Sequence, residues 1–151
     1  MTDSEFEDMM LSQYSNQASE DISTLPCYIK NIMCVLLSHY PIGNGGFRFL
    51  FEINLAGNVS YADIVEGFRA VGLTEVADQM QIVLNLFPDA VPHADMILRD
   101  EFLRTYFDSE DEDGNPNTSY SSVVENAERI YYGTFKRVPG ILHQYYKSNS
   151  A

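Results

Sequence analysis

Between Pro26 and Pro41 the residues Ile29, Ile32, Met33, Leu36, Leu37 and Tyr40 recur at i, i+3, i+4, i+7, i+8 and i+11. That is the period of one broad helix face, and a stripe this apolar must be covered by other elements. Pro26 suits a first helical turn, and Pro41 is expected to end the helix. A chain of 151 residues fits one domain and is long enough to bury a real core around such a helix.

Other segments carry weaker versions of the same signal. Ser4 and Glu7 have capping-box spacing ahead of Phe6, Met9, Met10 and Tyr14, which predicts a weak helix over about residues 5–15. Ser60 with Asp63 opens a helix bearing Tyr61, Ile64, Val65, Phe68 and Val71, with Gly72 just past its end. Thr74 is the expected cap of the next, whose face is Val76, Met80, Val83, Leu84 and Phe87. Pro88 stops it. Leu98, Phe102 and Tyr106 share a helical face, with Met96, Leu103 and Phe107 nearby. Ser122 with Glu125 opens a helix through Val124, Ala127, Tyr131 and Phe135, and Pro139 begins a last one with Ile141, Leu142 and Tyr145. The expected architecture is all-α, a single compact domain of about seven or eight short helices. Residues 1–25 read as an acidic N-terminal arm with one weak helix, 26–147 as the helical domain, and 148–151 as a disordered tail.

Gly43, Asn44, Gly45 and Gly46 make a tight turn with positive φ, so Asn44, Gly45, Gly46 and Phe47 are assigned a structural role. Glycine turns at helix starts also expose backbone N–H groups to anions, but this one lacks GxGxxG spacing and has no GK[ST]. The nearest base is Arg48. After the turn, Phe47, Phe49, Phe51, Ile53 and Leu55 alternate as in a strand, while Phe47, Leu50, Phe51 and Leu55 fit a helix. Periodicity alone does not choose.

Catalytic and metal patterns are sparse. His39, His93 and His143 stand apart without metal-ligand spacing and read as surface or capping residues; GxSxG, HExxH and Ser-x-x-Lys are absent. Placing Gly114 at the sixth position of a calcium loop puts Asp111 and Asp113 at the third and fifth. Ser109 and Tyr120 then fall where Asp and a bidentate Glu are needed. Cys27 and Cys34, seven apart, lie about 10.5 Å apart along a helix, too far for a disulfide, and read as reduced, packed thiols. No catalytic residue, metal or cofactor is expected.

Charge is the remaining signal. Twenty-two acids against nine bases leave a net charge of −13. Such a chain repels nucleic acid and anionic membranes and attracts basic partners. No apolar run approaches the ~20 residues of a membrane span. The first residues carry acids and no Lys or Arg, unlike a secretory leader, so a cytoplasmic location is expected. A domain of this length is about 40 Å across, a span over which duplex DNA shows roughly 24 phosphates, close to the number of carboxylates here. From Arg129 onward there are bases but no acid, and pairing of this tail with acidic neighbours would cancel part of the excess.

The run from Ile32 to Phe87 resembles the family of DNA mimic protein nineteen. An apolar helix leads into Asn44-Gly45-Gly46-Phe47, then Phe51, Gly57, and Gly72-Leu73 followed by Ala77, with weaker similarity at Phe102–Tyr106 and Tyr131–Tyr132. It spans about Ile29 to Tyr145. The resemblance implies an all-helical fold, with helix rather than strand after Phe47. It also implies an acidic dimer that occupies the DNA-binding surface of a transcription factor. The matched positions build the fold; the carboxylates lie outside them. The expected function is therefore a non-enzymatic protein that binds a basic, DNA-binding protein by imitating phosphates and regulates it by competition. Asp108, Glu110, Asp111, Glu112 and Asp113 are the first candidates for contact, Glu5, Glu7 and Asp8 the second, and Asp63, Glu66, Glu75 and Asp78 rigid helical alternatives. An immunity or antitoxin-like protein neutralising a basic toxin would use the same chemistry, and a hidden hydrolase would need His and carboxylates to converge.

Overall fold

A computed structural model describes every residue except 109, 111, 116–118 and 151. Its helices are α1 (Asp3–Asp21), α2 (Cys27–Glu52), α3 (Tyr61–Ala70), α4 (Thr74–Leu84), α5 (Met96–Phe102), α6 (Ser119–Thr134) and α7 (Val138–Asn149). Among the described residues there is no β-strand, and one hydrophobic core serves the whole chain. The fold is all-α.

The wide stripe on α2 explains the arrangement. Ile29, Ile32, Met33, Leu36 and Phe51 are fully buried, because α3, α1, α7, α5 and α6 all pack on this helix. Ile64, Phe68, Val76, Met80 and Val83 supply the facing surface from the α3–α4 hairpin, and α6 closes on α4.

Several boundaries differ from the sequence expectations. Pro41 does not end α2; it removes one backbone donor, and the break comes at Gly45 and Gly46. Helix resumes after the turn but stops at Glu52, so Ile53 and Leu55 lie outside it. Thr74 is the first residue of α4 and not its cap, and α6 opens at Ser119, three residues before Ser122.

The N-terminal segment is not a loose arm. α1 runs to Asp21 and is capped by Thr2 and Glu5 in place of Ser4 and Glu7: the Thr2 hydroxyl accepts from the Glu5 N–H (3.2 Å), and Thr2 N–H donates to the Glu5 carboxylate (2.6 Å). Phe6, Met10 and Ala18 form a narrow buried stripe, and Phe6 stacks on His143 of α7 at 4.7 Å. At Gly57 (φ +70°) a Cβ would stand 1.8 Å from the Ala18 carbonyl oxygen, and Ile22 N–H donates to the Gly57 carbonyl. α1 is thereby clamped at both ends. The expected tail at 148–151 is helical through Asn149, whose side chain donates to the Tyr145 carbonyl.

α5 shows why a regular period misplaced a face. It passes directly into a π-helical turn, Leu103–Phe107, which adds a residue to the turn and rotates the following side chains. Leu103 and Phe107 are buried, while Tyr106, expected inward, is exposed; Leu98, also expected inward, lies ahead of this turn in α5 and is exposed as well.

The two cysteines differ. Cys34 is buried and its thiol is pushed up to about 12 by desolvation, whereas Cys27 is exposed. One thiol per chain should react with an aromatic disulfide reagent in the native protein and two after denaturation; two native equivalents would contradict this packing.

Candidate functional site

The glycine turn breaks α2 through φ/ψ of −160°/20° at Gly45 and 71°/−168° at Gly46. The second is a region open essentially to glycine. Restarting the helix at Phe47 creates a positive N-terminal pole with unsatisfied N–H groups. The Phe47 N–H donates to Oε1 of Glu128 at 3.0 Å, and a Cβ on Gly46 would lie 2.2 Å from that oxygen. The turn does bind an anion, and the anion is the protein's own. Burial raises the Glu128 pKa, with the Phe47 N–H opposing and Glu125 adding to the rise.

α6 and the turn that follows it reach the broken helix through Glu128, Tyr131, Tyr132 and Phe135. The Tyr132 hydroxyl donates to the Ile42 carbonyl (3.0 Å), an acceptor close before the break. Tyr131, fully buried, is hydrogen-bonded to Nδ1 of His39, whose ring stacks on Phe135 at 4.4 Å. Desolvation lowers the His39 pKa to about 4 and holds the Tyr131 phenol well above its usual range. His39 is thus a neutral core residue inside α2, not a ligand for terminal carbonyls.

Directly after Phe47, Arg48 gathers carboxylates from three parts of the chain. Its guanidinium lies 2.7 Å from Glu52, 3.5 Å from Asp100 and 2.9 Å from Asp108. Burial opposes the charge, but hydrogen bonding to Asp108 and the surrounding acids raise the Arg48 pKa overall. Asp100 also pairs with Arg104 at 2.8 Å. Beside Arg48 a cleft of about 400 Å³ is lined by Gly45, Glu110, Gly114, Glu125 and Glu128 among others. Three carboxylates therefore face one recess while several more surround the arginine behind it.

The candidate contact residues fall at different places. Asp108 is tied to Arg48, Glu110 lines the cleft, and Glu112 and Asp113 are exposed. Asp111 lies outside the described residues. On α1, Glu5 serves as a cap, which lowers its pKa through the Thr2 N–H and hydroxyl, and Asp8 is exposed. Glu7 is half-buried, accepts from the Tyr40 hydroxyl at 3.4 Å, and has its pKa raised by desolvation. Asp63 caps α3 and pairs with Lys30 at 3.0 Å; burial works against its charge, but the Ser60 N–H and Lys30 lower its pKa overall. Asp78 pairs with Arg69 at 2.9 Å, whereas Glu66 and Glu75 are exposed. Sequence reasoning missed Glu52, Asp100, Glu125 and Glu128. For Glu128, its i−3 and i−4 spacing to Tyr131 and Tyr132 was the available signal.

The remaining histidines also depart from the surface reading. His143 is buried, stacked on Phe6 and bonded to Asp3 at 2.8 Å, and His93 packs against Phe87 and Phe102. Among the described residues no group of three or more His, Cys, Asp or Glu could hold a metal ion, and no helix is long and apolar enough to cross a membrane. The C-terminal bases Arg129, Lys136, Arg137 and Lys147 make no ion pair with a carboxylate among the described residues.

No curated protein and no solved structure matches the chain significantly. A family model described as DMP19-like protein matches residues 23–149, a span that holds the broken helix, its Glu128 cap and the cleft beside it. The chain belongs to the DMP19-like protein family.

Proposed function

We propose that this protein is a non-enzymatic acidic binder that occupies the DNA-binding surface of a basic protein and regulates it by competition. The observation that carries the reading is the cleft in which Glu110, Glu125 and Glu128 converge beside the carboxylates held by Arg48. Glu125 and Glu128 are fixed on α6, and carboxylates so held accept charge-assisted hydrogen bonds from Arg and Lys, as phosphate oxygens do, with little ordering cost. The net charge of −13 supports the same reading, since the excess attracts cationic surfaces before contact.

The test is retention of DNA-binding proteins from lysate on the immobilised protein at rising salt. Retention at low salt, release with salt and displacement by duplex DNA are expected. Loss of all retention, or retention indifferent to salt, would remove the basis for mimicry. Replacing Glu110, Glu112 and Asp113 by Lys should weaken capture severalfold; unchanged capture would clear that loop of any role.

A further inference from the structure

In a molecule with 22 acids, two adjacent bases are left unpaired beside its α7 helix. Lys136 and Arg137 are exposed and line a groove of about 540 Å³, a volume in the range of small-ligand sites. Neither makes an ion pair with a carboxylate among the described residues. Asp3 is the carboxylate in the lining, and it is already engaged: its Oδ1 bonds to Nδ1 of His143 at 2.8 Å. Arg129 and Lys147 lie outside the groove, so its positive charge is gathered at one end, where α7 begins.

Beyond that end the surface is largely apolar. Ile141 and Tyr145, one helical turn apart, form the floor, and Val71 at the end of α3 forms a wall. The Tyr145 hydroxyl accepts from Asn31 of α2 at 3.1 Å, which fixes the ring in place. From Arg137 to Ser148 the groove follows α7 for about 16 Å.

Charge and shape together select the occupant. Unpaired cations call for an anion, yet the body as a whole carries −13 and repels anions in proportion to their charge. A polyanion such as nucleic acid, or the acidic face of another protein, meets the full repulsion; a single carboxylate meets the least of it and stays within a Debye length of both bases. A cationic end followed by an apolar floor matches a molecule charged at one end only.

We propose that this groove binds a single-chain amphiphilic carboxylate, with its head on Lys136 and Arg137 and its hydrocarbon chain along Ile141 and Tyr145. The Arg137 guanidinium supplies paired donors for the carboxylate, and the chain removes apolar surface from water. The site is separate from the acidic cleft and stands whether or not a basic protein binds there.

Fluorescence titration of the full-length protein with dansylaminoundecanoate and with its uncharged methyl ester tests it. The acid should bind about fivefold more tightly than the ester at low salt, and added salt should erode the difference. Lys136→Gln with Arg137→Gln should bring the acid down to the ester's affinity and leave the ester's own affinity unchanged. Both side chains are exposed, so the thermal midpoint should hold. Equal binding of acid and ester to the unsubstituted protein, a preference that survives the substitutions, or no binding of either probe overturns the site. Co-sedimentation with phosphatidylglycerol vesicles that the same substitutions abolish would assign the two bases to a membrane surface and overturn it as well.

Discussion

Gly46→Ala should cost about 4 kcal/mol of stability, from two contributions that arise together. At φ 71° and ψ −168° an alanine pays backbone strain of about 1–3 kcal/mol. Its Cβ would also meet Oε1 of Glu128 at 2.2 Å. That carboxylate is the end of a flexible side chain and can swing aside, but it then abandons the Phe47 N–H. An unsatisfied buried donor costs about 1–3 kcal/mol more. Gly72→Ala is the control: its φ is +93°, yet a Cβ there meets nothing within 4 Å, so only the strain remains. Urea titration of both variants measures the difference. Equal losses would mean that the Glu128 cap contributes nothing. Glu128→Gln isolates the charge: its carbonyl oxygen still accepts from Phe47, and because burial disfavours the carboxylate, the variant should match or exceed the parent at neutral pH.

Acid should weaken the fold through His39. Its folded-state pKa is depressed from 6.5 to about 4, so the unfolded chain takes up a proton in that interval and the native state does not. Stability contributed by the neutral ring is complete above pH 6.5 and is lost as pH falls toward 4, about 3 kcal/mol in all. The buried carboxyls act in the opposite direction. Glu128 and Glu7 have raised pKa values, so their contribution is greatest in acid and is lost as pH rises through those values. Comparing the parent with His39→Phe removes this background. The stability of the variant should fall about 3 kcal/mol less between pH 7 and pH 4, whatever it loses at neutral pH by leaving the Tyr131 hydroxyl unpaired. Parallel pH profiles would sink the assignment.

Much of the scaffold was legible because its signals are local. The stripes on α2, α3 and α4 declare helices through neighbours three and four residues apart, and Ser60 with Asp63 announced the start of α3 correctly. The glycine turn was legible as a turn. Its consequence was not: the group it serves sits 81 residues away on α6, and nothing near Phe47 names Glu128. α1 was underestimated for a related reason. Its buried stripe is only one residue wide at each turn, and Ala18 is small enough to pass unnoticed until Gly57 is packed against it. The π-helical turn after Phe102 shifted the inward face of the next residues, a change that a period of 3.6 has no means to anticipate.

By itself, the sequence determined the helical class, the inward faces of the central helices and the strongly anionic character of the molecule, since short-range spacing and composition are complete on the page. Only the tertiary structure decided which acids are consumed as caps or ion pairs and which are gathered around one cleft. Asp63, Asp78 and Asp108 are engaged by Lys30, Arg69 and Arg48, while Glu125 and Glu128 come to share a cleft with Glu110. The physical reason is range. Helix periodicity is written within one or two turns, but electrostatic pairing depends on through-space distance, and packing alone brings Arg48 to an aspartate 60 residues further along the chain.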